Sequence, residues 1–263
     1  MGGGGAAIGG MCTAVVSFDP LSPVPVLLVG VRDEFLARSW EPPGRYWADR
    51  PGVVGGRDLR AGGTWLAVEP EAPRVATVLN GRGRMAAEDG RASRGELPLR
   101  MAADGKLGEI ELPAFDPFHL VCAEPDRVRL WSWDGEEMVE RSLAPGLHMI
   151  VNSGLEGEGQ LEGQTEDAYM SARLAHFRPR FAAAARPVPG EGPVEAAWGA
   201  WFALANGDGL VRADHRALLP VLDLGEGRVW GTTSVSLTAL AADGARYDFS
   251  AVPGDPASWN RVL

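Results

Sequence analysis

The feature that most constrains the fold is the rhythm of the chain after Met11. Short runs rich in β-branched and aliphatic residues recur between turn signals, give way to two stretches of helical period, and then resume. Thr13 to Phe18 and Pro25 to Val31 read as a buried hairpin joined by a Pro/Ser turn. Further strands are expected at Thr64 to Val68, Arg74 to Leu79, Phe118 to Cys122, Arg127 to Trp133, Glu137 to Ser142 and His148 to Asn152, with Asp134-Gly135 as a two-residue hairpin turn. The period then lengthens: Met170, Leu174, Phe177 and Phe181 make one helical stripe. Val194, Ala197, Trp198, Trp201 and Ala205 make a second beyond the breaker Arg186 to Pro193. Val229 to Leu240 and Ala245 to Val252 return to strand around Asp243-Gly244. Strands, helices and strands again form an α+β pattern.

No internal repeat or shift of composition interrupts residues 11–263, so one domain is expected there. A chain of 263 residues buries roughly three quarters of its unfolded surface, so its core needs no metal or disulfide for support. Residues 1–10, MGGGGAAIGG, hold six glycines and cannot bury enough surface to offset their ordering entropy; a disordered extension is expected. They lack the basic and apolar regions of a secretory signal.

Charge removes several function classes. Thirty-five acidic residues against 25 basic ones leave a net charge of −10 with no Lys/Arg run, so nucleic acid and anionic membrane are not expected partners. The longest apolar run, Val24 to Val31, contains Pro25 and Gly30 and falls short of the roughly 18 residues that span a bilayer. Cys12 and Cys122 form no disulfide framework and sit in no CxxC or CxxH pair, which fits a reducing cytoplasm.

Two motifs fail on context. Gly81-Arg82-Gly83-Arg84-Met85-Ala86 matches a GxGxxA dinucleotide fingerprint, with Asp104 about 20 residues on. Glu88-Asp89-Gly90 and the Ser93 to Pro98 stretch interrupt the helix that a phosphate would need, so the pattern reads as a plain turn. His119, His148, His176 and His215 form no HExxH or HxH pair, so no metal site is expected; His119 and His176 read as satisfied core or surface residues. Trp40, Trp47 and Trp65 crowd the N-terminal third and offer lining for an apolar pocket.

Cys12 admits two readings. It follows Met11, a plausible start whose removal is permitted before a small residue. It would then carry a thiol of pKa about 8.5 and an α-amine of about 7.7–8.0, nucleophile and general base in one residue. Alternatively it is a small buried hydrophobe opening a strand.

Met11-Cys12-Thr13, the return to VRDEF (Val31 to Phe35), GGRDLRAGGTWLAV (Gly55 to Val68), ATVLNGRG (Ala76 to Gly83), VNSGL (Val151 to Leu155) and WGTTSVSL (Trp230 to Leu237) together resemble the NRDE family, also called the transport and Golgi organisation protein family. The resemblance implies a four-layer αββα sandwich of the N-terminal-nucleophile hydrolase type. Glu166 to Ala184 and Val194 to Ala205 would form one outer layer, and the segments starting at Cys12, Pro25, Thr64, Arg74, His148 and Val229 would supply the sheets.

It further implies Cys12 as nucleophile, Arg32 lowering the thiol pKa, Asp33 holding the protonated amine, and Asn80 and Asn152 donating to an oxyanion. Such an amide donor is worth about 3–4 kcal/mol in a preorganised site. Asn80 and Asn152 also read as turn residues at strand ends. Gly62-Gly63 would allow a tight bend, Trp65 would anchor the pocket wall, and Arg57 and Asp58 would pair internally. Val31 stands where the family carries Asn, and Thr233 where it carries Arg; these would take an amide and a charge from the site.

Two functions follow as expectations. One is hydrolysis of a non-peptide amide through an acyl-enzyme, with a small-molecule substrate and no required cofactor. The other is non-catalytic carriage of haem or another flat hydrophobic ligand in the same cleft.

Overall fold

β1 (Thr13–Phe18) is buried along its whole length, and β2 (Val26–Phe35) from Val26 through Asp33. Both carry near-continuous apolar runs because both faces of their sheet are covered. Val15, Leu27, Val29 and Val31 join one core cluster, while Ala14, Val16, Val26 and Leu28 join another. The computed structural model describes residues 11–161 and 165–263; the glycine-rich residues 1–10 lie outside them.

The chain then builds a second antiparallel sheet in sequence order. Its strands are β3 (Trp40–Gly44), β4 (Val54–Asp58), β5 (Leu66–Glu69), β6 (Arg74–Asn80) and, after helix α1 (Glu96–Asp104), β7 (Phe118–Glu124), β8 (Arg127–Trp133) and β9 (Met138–Ser142). It returns to the first sheet through β10 (Gly146–Val151) and β11 (Gly154–Leu155). Helices α2 (Thr165–Ala183), α3 (Val194–Trp198) and α4 (Ala200–Ala205) follow. Then β12 (Val221–Asp223), β13 (Val229–Ala241), β14 (Gly244–Ser250) and β15 (Trp259–Arg261) complete a sheet ordered β11-β10-β1-β2-β13-β14-β15, with β12 beside β13.

Four layers result. Met170, Phe177, Phe181, Trp198 and Trp201 seat α2 to α4 on the outer face of the first sheet. Leu97 and Met101 of α1 pack with Ala76, Leu120, Cys122 and Trp131 on the outer face of the second. Between the sheets, Ala14, Val16 and Leu28 meet Leu66, Val68, Val75, Leu79 and Val121. This is the αββα sandwich that the resemblance implies. Among the described residues no helix is long and apolar enough to cross a membrane.

Local chemistry explains where the elements differ from expectation. The helix anticipated over Val194 to Ala205 breaks at Gly199, whose φ of 50° and ψ of −128° suit glycine and interrupt the helical path. Helix α1 was obscured by Gly95 and Pro98, yet Pro98 falls in the first turn, where its missing N–H has no intrahelical partner to lose. Gly105, left-handed at φ 67°, closes that helix. Strand β3 carries Pro42 and Pro43, which a sheet tolerates at its edge. Gly81 and Gly83 serve close packing: a Cβ on them would lie 2.6 Å from Phe118 N and 1.8 Å from Asp134 O. No helix follows them directly, as the turn reading expects.

Candidate functional site

The register of the first sheet assembles the site. Thr13 pairs with Val31 on one side and Val151 on the other, so Cys12 meets the Arg32-Asp33 segment while Asn152 follows directly on its other neighbour. The Asp33 amide donates to Cys12 Sγ at 3.4 Å, and Sγ lies 3.6 Å from Asp33 O. On the far side of β2, β13 carries an irregularity between Thr232 and Ser234. Thr233 is the extra residue there, and it lets two successive threonines serve two successive site residues. Thr232 Oγ1 donates to Asp33 Oδ1 at 2.6 Å. Thr233 Oγ1 accepts from Arg32 Nη1 at 3.0 Å and lies 3.2 Å from Arg32 O.

Asp33 and Arg32 point to opposite faces of their strand. Asp33 reaches the helix layer, where Arg173 Nη1 lies 3.2 Å from Oδ2; the same nitrogen donates to Met11 O at 2.5 Å and Thr13 Oγ1 at 2.8 Å. Burial pushes the Asp33 carboxyl up to about 6, against the opposing pull of Arg173 and Thr232. Arg32 reaches the second sheet: its Nη2 lies 3.0 Å from Asp58 Oδ2 and its guanidinium sits 4.4 Å over the Trp65 ring. Asp58 also takes Arg38 at 2.6 Å. Burial would raise Asp58, but the Arg38 hydrogen bond and the Ala61 amide hold its carboxyl below the usual range.

Burial, followed by the Asp33 charge, pushes the Cys12 thiol up to about 12 while Met11 is attached. Arg32 acts in the expected direction, downward, but its charge is already matched by Asp58 and does not offset the other two.

A cavity of about 510 Å³ opens at this end of the sandwich, and Cys12, Arg32, Asp33 and Asn80 line it together. Asn152 is buried behind the wall; its carbonyl lies 3.2 Å from His119 Nε2, and His119 Nδ1 lies 2.8 Å from Ser132 Oγ. A carbonyl only accepts, so Nε2 carries the proton and the Ser132 hydroxyl donates to Nδ1. His119 is therefore a satisfied strut between the sheets, and burial lowers its pKa. His176 pairs with Asp208 at 2.8 Å, and no cluster of three metal-ligating side chains occurs among the described residues.

Several expectations are corrected. Arg57 and Asp58 do not pair, because adjacent strand residues face opposite sides; Arg57 bonds Glu41 at 2.7 Å instead. Of the three tryptophans only Trp65 lines the cavity. Trp40 packs edge-on against Trp65 and Phe249 in the core, and Trp47 against Tyr46. Val31 lies in the apolar cluster beneath the helices, away from the cavity wall. The sequence reading missed Arg94, Arg173 and Thr232, and gave Asp58 the wrong partner. Arg173 left one signal, a charge set among Met170, Leu174 and Phe177 on an apolar helix face.

A family model described as Transport and Golgi organisation 2 matches residues 11–166. Among solved structures, the chain is similar to a Caenorhabditis elegans N-acylethanolamine-hydrolyzing acid amidase (NAAA) ortholog, at 10% identity and a TM-score of 0.44, over 94% of this chain and 95% of that one. No curated protein matches the chain.

Proposed function

The chain belongs to the Transport and Golgi organisation 2 family, and from that premise we propose that it is an N-terminal-cysteine amidohydrolase acting on a non-peptide amide once Met11 and everything before it are removed. The observation that carries the reading is the position of Cys12: its sulfur takes the Asp33 amide hydrogen bond at the wall of a cavity that Arg32 and Asn80 share.

Removal of Met11 would convert a peptide nitrogen into an α-amine beside the thiol, and the Asp33 carboxylate would hold that amine when protonated. The amine takes the thiol proton, and sulfur attacks the amide carbonyl. The C–N bond then breaks, and the proton passes to the departing amine. Water cleaves the resulting thioester, releasing the acid and restoring the thiol, so the sequence balances with water alone. Asn80, whose side-chain amide makes no hydrogen bond to the described residues, is available to the developing oxyanion from the cavity wall. Two unpaired cysteines suit a reducing cytoplasm.

Haem carriage has less support, because charged side chains and a single tryptophan line the cavity. The deciding experiment is intact-mass analysis of protein from its host, followed by acylation with a 4-nitrophenyl ester. Chains beginning at Cys12 that gain one acyl group, lost in Cys12→Ala, are the expected result. Labelling that persists in Cys12→Ala, or native chains that all retain Met11, would overturn the reading. A saturable Soret shift on haem titration that is insensitive to Cys12→Ala would replace it with carriage.

A further inference from the structure

The charges around the cavity do not cancel. Arg32 and Arg38 share Asp58, with Glu34 3.6 Å from Arg38, Arg91 lies 3.5 Å from Asp116, and Asp33 is held from the helix side by Arg173. Arg94 also lines the cavity, but its guanidinium makes one hydrogen bond to the described residues, from Nη1 to Pro117 O at 2.8 Å, and no carboxylate among them comes within ion-pair distance. Burial works against this charge, with Asp116 only partly offsetting it, and Cys12 and Glu34 lie within its electrostatic reach.

The loop that carries Arg94 is fixed. Gly95 O accepts from the Thr64 amide at 2.9 Å, and Ser93 Oγ accepts from the Gly95 amide at 3.2 Å. Gly63 and Gly95 approach so closely that a Cβ on Gly63 would sit 2.5 Å from the Gly95 carbonyl carbon. Arg94 is thereby tied to the residues just before β5, two positions from the Trp65 ring under Arg32. A part-buried guanidinium at a cavity wall, with Nη1 on a carbonyl and its other nitrogens bonded to none of the described residues, has donors left for a planar, two-oxygen anion.

We infer that Arg94 determines specificity by receiving a carboxylate of the substrate, so that the amides cleaved here carry a second, ionised carboxyl group on the acyl side. Hydrolysis of such an ω-carboxyacyl amide consumes one water and yields a dicarboxylate and an amine. The inference rests on the hydrolase reading above, and two separate readouts let the two fail independently.

The first readout compares glutaryl-4-nitroanilide with the neutral, length-matched valeryl-4-nitroanilide on the chain that begins at Cys12. Wild type is expected to favour the glutaryl compound by about tenfold or more in kcat/KM, through KM. Arg94→Gln is expected to abolish that ratio, and Arg94→Lys, which keeps the charge without the fork, to retain part of it. Equal use of the two anilides by wild type, or an unchanged ratio in Arg94→Gln, overturns the inference.

The second readout needs no turnover. Glutarate is expected to raise the melting temperature of wild type and not of Arg94→Gln. If neither anilide is cleaved but glutarate shifts wild type in this way, the hydrolase reading fails on these substrates and the anion site stands. No shift, or a larger shift with inorganic phosphate than with glutarate, overturns the carboxylate assignment.

Discussion

Arg173 of α2 and Asp33 of β2 form an ion pair withdrawn from water, 3.2 Å from Nη1 to Oδ2, with side chains 2% and 0% exposed. The same guanidinium donates to Met11 O and Thr13 Oγ1, so the helix layer as well as the sheet positions the backbone on either side of Cys12. Desolvation offsets much of the attraction in such a pair, and its contribution lies in holding one geometry.

Breaking this pair from one side leaves an uncompensated buried charge. Arg173→Met is expected to cost about 3–5 kcal/mol in urea denaturation. The double variant with Asp33→Asn should recover part of that loss, since no charge is then stranded. A cost below about 1 kcal/mol for the single change would contradict the account.

Stability should also carry the signature of Asp33 in its pH dependence. Its carboxyl sits at about 6 in the fold against an ordinary value of 3.8, so between those values the folded state binds more protons than the unfolded one. Wild-type stability relative to Asp33→Asn is therefore expected to fall as pH rises from about 4 to about 6 and to level off above about 7. A difference that rises over the same interval has the wrong sign.

Thiol chemistry gives a third check. With the thiol at about 12, on the order of 1 in 10,000 molecules carries a thiolate at pH 8. Iodoacetamide should modify Cys12 much more slowly in the chain retaining Met11 than in the chain that begins at Cys12. Peptide mapping separates this residue from Cys122, which burial also holds at about 12. Equal rates in the two forms would show that the liberated amine does not activate the sulfur.

Placing at 233 the arginine that the resemblance implies is expected to harm this chain. Thr233 is buried and bonds Arg32, so Thr233→Arg sets a second guanidinium against the first and overfills the site. A loss of about 1–3 kcal/mol is expected by denaturant titration. Thr233→Ser, which keeps the hydroxyl, should cost less; a stabilised arginine variant would refute this view of the irregularity in β13.

The two glycines before Thr64 should respond differently to alanine. At Gly62, φ is 75° and an added Cβ meets nothing within 4 Å, so Gly62→Ala is expected to cost about 1–2 kcal/mol of backbone strain. At Gly63 the added atom strikes the Gly95 backbone, so Gly63→Ala should cost more and weaken the glutarate-induced melting shift. The reverse order of melting temperatures would show that the Arg94 loop is not locked in this way.

Local pattern determined a large part of this protein. Apolar runs between turn signals marked the first hairpin and β6 to β8, the helical stripe on Met170, Leu174, Phe177 and Phe181 marked α2, and the register of a hairpin brought Cys12 to Arg32 and Asp33. Each of these follows from which face of an element must leave water, which neighbours within a few residues decide. Partners of the charges were decided only in three dimensions. Asp58 belongs to Arg32 and Arg38 rather than to adjacent Arg57, Asp33 belongs to an arginine 140 positions away, and Thr233 meets Arg32 across 201. Arg94 faces Cys12's cavity because Gly63 and Gly95 let two distant backbones touch. Charge pairing depends on which strand ends and loops arrive together, and no periodicity along the chain encodes that meeting.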